Sequence, residues 1–243
     1  MKLALIAVVS CLALSVKSAS FVTSLGIPSG QSTTNALLPY YMYKNMPVID
    51  VQSFDLVCRT PDMDTPVRSA FSITAGSTIR VNWDTKTASP YSTIMPYGPC
   101  SYWLAPYASK GKGKVWSKIH ENTYKGDDTK ADWCTVTIQE KGYYDVKIPE
   151  GLAPGKYYLR SEVIDLDGAR GNTPYQDFTA GARFHVNCAV LDITGTGTAL
   201  LKSPISIMEA YKPYYKTTFF PTTMKNSQFK MPGGKSPYAD DTA

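Results

Sequence analysis

The sequence predicts an all-β protein folded as a single β-sandwich. Three observations carry that expectation. Apolar and polar residues alternate in short runs rich in β-branched and aromatic side chains. Pro, Gly, Ser and Asp fill the gaps between them. No long stretch shows the helical period. Short strands at this spacing favour two packed sheets. The first run is FSITAGSTIRVNW (Phe71 to Trp83), two alternating segments around a Gly-Ser turn. YYDVKIP (Tyr143 to Pro149), KYYLRSEVIDL (Lys156 to Leu166) and ARFHVNCAVLDITG (Ala182 to Gly195) follow.

The chain opens on Met1 and Lys2, then an apolar run from Leu3 to Val16 and the small residues Ser18, Ala19 and Ser20. That order describes a secretory signal peptide. The run is too short to cross a bilayer, which takes about 20 apolar residues. Residues 1–20 are therefore read as a leader cut after Ser20, residues 21–197 as the sandwich, and residues 198–243 as a C-terminal arm lying over it. The expected location is extracellular, with no membrane span. The formal charge of +5 includes Lys2 and Lys17, so the mature chain carries about +3. That is too mild to argue for a nucleic-acid partner. Cys11 leaves with the leader. Cys58, Cys100, Cys134 and Cys188 remain, enough for two disulfides in any of three pairings. They lack the close spacing of a zinc site.

Three segments carry a family resemblance. They are YGPCSYWLAPY followed by VWSKIHE (Tyr97 to Tyr107, Val115 to Glu121), VKIPEGLAPGKYYLRSEVIDLDGA (Val146 to Ala169), and GARFHVNCAVLDITGTG (Gly181 to Gly197). In order and spacing they resemble the auxiliary activity family nine lytic polysaccharide monooxygenases, secreted fungal copper enzymes that oxidatively cleave cellulose and related β-glucans. The resemblance implies an immunoglobulin-like antiparallel β-sandwich with long loops. It also implies the disulfides Cys58–Cys188 and Cys100–Cys134.

In that family the mature chain begins with a histidine whose amine and imidazole bind copper. A second histidine supplies a third nitrogen and a tyrosine sits axially. A glutamine and a further histidine shape the oxygen pocket. Three such nitrogens suit tetragonal Cu(II). Here no histidine occurs between Met1 and Ser24. Pro96 holds the place of the second ligand, two residues before Gly98-Pro99. The family's R-H-E reads Arg160-Ser161-Glu162, so Ser161 replaces the pocket histidine. Its Q-F-Y reads Arg183-Phe184-His185, so Arg183 replaces the glutamine and His185 the axial tyrosine.

Only His120 and His185 occur in the chain. His185 is expected to fill the vacated pocket, near Glu162, with a rebuilt metal site as its alternative role. Arg183 is expected to pair with Glu162 in a charge-assisted bond; its alternative is recognition of an anionic group such as a uronic acid. His120 reads as a surface or edge residue. Lys110, Lys112, Lys114 and Lys118 read as a solvated loop, or as a contact for acidic polysaccharide. Tyr211, Tyr214, Tyr215, Phe219, Phe220 and Tyr238 are expected to pack the arm down, with one or two left to stack on sugars. Asp165 and Asp167 read as turn residues before Gly168. No hydrolase elbow, P-loop or zincin motif occurs.

Two functions follow. One is a secreted, non-oxidising protein that has lost the copper brace, needs no cofactor, and binds cell-wall polysaccharide (cellulose or another β-glucan) or a surface partner. The alternative is an active copper-dependent monooxygenase with a rebuilt site using His185. The enzyme question stays open at this stage, because fold alone does not fix activity.

Overall fold

The computed structural model describes residues 21–39, 47–60, 62–84, 97–124, 133–166, 169, 181–211 and 225–238. The leader, Pro96, Asp167, Tyr214, Tyr215, Phe219 and Phe220 lie outside these residues.

In chain order the strands are β1 (Val22–Gly26), β2 (Ser32–Thr33), β3 (Phe71–Thr74), β4 (Thr78–Trp83), β5 (Cys100–Pro106), β6 (Ser117–Asn122), β7 (Tyr143–Lys147), β8 (Gly155–Asp165) and β9 (Arg183–Thr194). They form two sheets, ordered β2-β1-β4-β7 and β3-β9-β8-β5-β6. The pairing is antiparallel apart from β3 with β9, which run parallel. The Gly-Ser turn between β3 and β4 is not a hairpin: it carries the chain from the five-stranded sheet to the four-stranded one. The expected all-β sandwich is what the chain forms.

Period-two alternation explains the core. In β4, Ile79, Val81 and Trp83 point inward while Thr78, Arg80 and Asn82 stay half-exposed. The inner faces of β5, β8 and β9 add Tyr102, Leu104, Leu159, Val163, Ala189 and Leu191. β8 and β9 differ from β4 in being buried on both faces. A second apolar layer covers the outer face of the five-stranded sheet. It includes Val48, Val51, Leu56, Ile207, Tyr211 and Phe229, packed on Trp103, Tyr158, Phe184 and Val186. Polar residues of β8 that alternation would send to water are therefore buried as well.

Three short helices join the strands: α1 (Asp55–Cys58), α2 (Cys134–Lys141) and α3 (Ile207–Ala210). The sequence shows no helical period at α2, because its CTVTIQEK run is rich in β-branched residues. Its end is marked by Gly142, which adopts φ +77° and closes the helix onto the Ile138 carbonyl. The disulfides Cys58–Cys188 and Cys100–Cys134 both form, with Cα separations of 5.2 and 5.9 Å. No helix among the described residues is long and apolar enough to cross a membrane.

Candidate functional site

The register of β8 on β9 decides where each expected site residue goes. Ser161 lies opposite Asn187, Val163 opposite His185, and Asp165 opposite Arg183. These odd-numbered residues share the inner face at one end of the sandwich. The start of β1 reaches the same place: the Val22 amide donates to Asn187 Oδ1 at 3.0 Å, and Val22 pairs with Trp83 of β4. The chain's beginning thus converges with Ser161, Arg183 and His185, three of the positions expected to line one pocket. The Tyr97–Pro99 segment closes this end, where Tyr97 and Pro99 carbonyls accept from the Leu166 and Ile164 amides at 2.8 and 3.0 Å. Gly98 is required there. A Cβ at this position would lie 1.8 Å from the Ile164 carbonyl oxygen.

Glu162 is not part of this group. Its even number turns it to the outer face, opposite Val186. The expected Arg183–Glu162 pair therefore does not form, and His185 is not near Glu162. Arg183 instead meets its cross-strand neighbour, with Nη2 3.1 Å from Asp165 Oδ2. Asp165 is the last residue of β8 and fully buried, not a turn residue. Ser161 and His185 are held under the surface, at 2% and 3% exposure.

Glu162 anchors a separate buried network. Its Oε1 accepts from Arg160 Nη2 at 2.8 Å, and its Oε2 accepts from Ser101 Oγ at 2.9 Å and from the Tyr211 hydroxyl. Ser101 Oγ in turn accepts from Trp103 Nε1 at 2.8 Å. Arg160 also donates to the carbonyls of Leu56 and Val57 in α1. Burial alone would raise the Glu162 pKa, but the Arg160 charge and three donors more than offset it and hold the carboxyl below its ordinary value. Burial and the nearby carboxylate push the Tyr211 phenol well up. This network clamps α1 and the segment around Tyr211 onto the sheet. Alternation along β8 could have separated Glu162 from Arg183; nothing in the sequence indicated Tyr211 as its partner.

Lys118 is not on a solvated loop. It is 2% exposed on β6, donating to Glu121 Oε2 and the Pro232 carbonyl, both at 2.8 Å, and to the Gly234 carbonyl. Burial lowers its pKa, only partly offset by Glu121. Lys110 pairs with Asp64, and Lys114 lies 3.5 Å from Glu209. Tyr211 is buried, and Tyr238 is half-buried, its hydroxyl accepting from the Lys202 amide at 2.8 Å.

The two histidines stand apart. His120 sits on β6, opposite Tyr102, with Nε2 3.2 Å from the Tyr144 hydroxyl. β5 and β8 intervene before β9, so the two backbones are three strand spacings apart, about 14 Å. Their imidazoles point to different surroundings and do not share a metal-sized space. Among the described residues no cluster of three His, Cys, Asp or Glu could hold a metal ion. These residues do not fit a brace of two imidazoles and an amine.

Comparison with known proteins places this architecture. The model of Auxiliary Activity family 9 (formerly GH61) matches residues 17–229. An AA9 family lytic polysaccharide monooxygenase C of Thermothelomyces thermophilus is 32% identical over 204 residues, covering 78% of this chain and 81% of the relative. An AA9 family lytic polysaccharide monooxygenase A of Aspergillus fumigatus is 28% identical over 193 residues. That alignment covers 78% of this chain, which spans about half (52%) of the relative's length. Among solved structures, CvAA9A aligns with a TM-score of 0.75 at 25% identity, covering 89% of this chain and 97% of that one. Cel61B of Hypocrea jecorina, a glycoside hydrolase family 61 member, shares the fold with a TM-score of 0.71 at 21% identity, covering 89% and 99%. The chain belongs to Auxiliary Activity family 9.

Proposed function

We propose that this protein is a secreted, non-oxidising member of its family, which keeps the sandwich and binds cell-wall polysaccharide of the β-glucan type without cutting it. The observation that carries this reading is the donor set. The chain has two histidines, and the strand order keeps them about 14 Å apart across the sheet. One imidazole and one amine fall short of a tight three-nitrogen copper site. Polysaccharide as the ligand is supported by the relatives, which are named lytic polysaccharide monooxygenases. The leader from Met1 to Ser20 supports an extracellular location.

The test is a Cu(II) titration of the secreted protein by calorimetry and electron spin resonance, once its N-terminal residue has been read. Weak binding without a nitrogen-rich tetragonal signal is expected, together with retention on insoluble β-glucan and no oxidised sugars released with reductant or peroxide. Tight one-to-one binding with that signal would overturn the proposal. His185 and the new amine would then be the ligands to mutate, and copper-dependent oxidation the activity to assay.

A further inference from the structure

The lysines of the arm and of the loop before β6 come together on one edge of the molecule, away from the end where β1, Arg183 and His185 meet. The Trp116 and Ile205 backbones exchange hydrogen bonds of 3.0 and 2.9 Å. Ser117 Oγ donates to the Lys202 carbonyl, and Ser236 Oγ donates to the Lys118 carbonyl at 2.9 Å. These bonds lay two stretches of the arm, around Lys202–Ile205 and Pro232–Ser236, along the start of β6. That start lies opposite Leu104 of β5, toward the far end of β5 from Cys100.

The exposed side chains on these stretches are cationic. Lys202, Lys225, Lys230 and Lys235 are all exposed, as is Lys112 in the adjoining loop. Lys225, Lys230 and Lys235 recur every five residues, which spreads their charges along a line instead of gathering them at a point. Residues 198–243 hold six lysines against Glu209, Asp240 and Asp241, a net +3. The mature chain as a whole also carries about +3, so the sandwich is electrically neutral and the net charge resides in the arm. Among the described arm residues the one acid is Glu209, which is engaged by Lys114 at 3.5 Å. Beside the cations stands the Tyr238 ring, with Lys202 Nζ 5.3 Å from its centroid. An aromatic face next to an ammonium offers a sugar ring an apolar contact and a carboxylate a counter-charge.

We infer that this edge binds a linear acidic polysaccharide, one bearing uronate carboxylates, with Lys112, Lys202, Lys230 and Lys235 pairing the carboxylates and Tyr238 packing on a sugar face. The inference rests on the reading of the protein as a polysaccharide binder and names the class of polymer. A line of separated charges suits a polymer over a small anion, and the aromatic contact suits a sugar over a phosphate backbone or a lipid surface.

The test measures binding of the secreted protein to polygalacturonate, to its carboxyl-reduced neutral form, to insoluble β-glucan, to double-stranded DNA and to anionic phospholipid vesicles. Each is measured in about 0.01 M and 0.15 M salt, where the Debye length falls from about 30 Å to about 8 Å. Binding to polygalacturonate that weakens with salt and vanishes for the reduced polymer is expected. The variant Lys112→Ala/Lys202→Ala/Lys230→Ala/Lys235→Ala should weaken it about tenfold or more, as for several exposed ion pairs lost together. Lys147→Ala, which removes one exposed lysine from the other sheet, should leave it unchanged. These lysines are exposed, so the variant should fold, and its melting temperature checks that. Retention on β-glucan without binding to polygalacturonate overturns this inference and leaves the proposed function standing. Equal binding to DNA or vesicles, or equal loss with Lys147→Ala, also overturns it. No binding to either polysaccharide overturns both.

Discussion

Replacing Glu162 by Gln keeps the shape of the side chain and removes its charge. The carboxylate is fully buried and is the partner of an equally buried Arg160. Gln leaves that guanidinium with carbonyl acceptors alone and turns an amide toward the Ser101 and Tyr211 hydroxyls. Breaking a buried pair in this way costs about 3–5 kcal/mol. For a domain of 150–250 residues each kcal/mol moves the melting temperature by roughly 2–4 °C, so Glu162→Gln should melt about 6–20 °C below the parent. The double variant Arg160→Met/Glu162→Leu removes both charges and should lose less than Glu162→Gln alone. A pH series gives an independent check. The folded pKa of Glu162 lies below its unfolded value, so its contribution is present above about pH 4.5 and is lost as pH falls through the folded pKa. The parent should therefore destabilise more steeply in acid than Glu162→Gln. Thermal unfolding followed by circular dichroism from pH 3 to pH 7 reads both effects. A variant melting within 2 °C of the parent at pH 7, with the same acid limb, would refute the view that this carboxylate balances Arg160.

Three further outcomes are expected. Lys118→Met, which orphans two arm carbonyls, should cost about 1–3 kcal/mol and speed proteolysis near Pro232–Ser236, read by mass spectrometry of limited digests. Breaking Cys58–Cys188, with 130 residues between its cysteines, should cost about 5 kcal/mol, against about 4 kcal/mol for Cys100–Cys134, 34 residues apart, both read by denaturant unfolding of paired Ser variants. The phenols of Tyr102, Tyr158 and Tyr211 are raised, chiefly by burial. Their contribution to stability is complete below about pH 10 and is lost as pH climbs further. An absorbance titration should show these three ionising last, together with unfolding.

The strands were legible because β-branched and aromatic residues alternate over Phe71 to Trp83 and along β7, β8 and β9. Their partners were not. Whether Arg183 meets Glu162 or Asp165 depends on a register and on which side of the strand each residue faces, and both are properties of the pairing with β9. Glu162 lies one step from the face that would have carried it to Arg183, and that step puts it under α1 and Tyr211 instead. Lys118 was misread for a related reason. Its neighbours Lys110, Lys112 and Lys114 are separated by glycines and suggest a loop, but Lys118 begins the next strand and is covered by residues more than a hundred positions later. The replacement of the copper donors was legible throughout, since it needs only the identity of the residues at Ser161, Arg183 and His185 and the count of histidines.

The way the arm lies on β6 bears on how molecules of this protein meet one another. β6 is an outermost strand of its sheet. An uncovered outer strand offers backbone donors and acceptors to any passing chain and so seeds aggregation. Ile205 takes up the backbone bonds at Trp116, and the Lys118 side chain holds the Pro232 and Gly234 carbonyls against the start of the strand. A chain ended before residue 198 would keep most of the sandwich core and lose this cover. It should be recovered as oligomers or precipitate, with intermolecular pairing at β6, where the full chain stays dispersed. The arm's lysines would oppose such stacking from a distance, by keeping the same edge of neighbouring molecules mutually repelled.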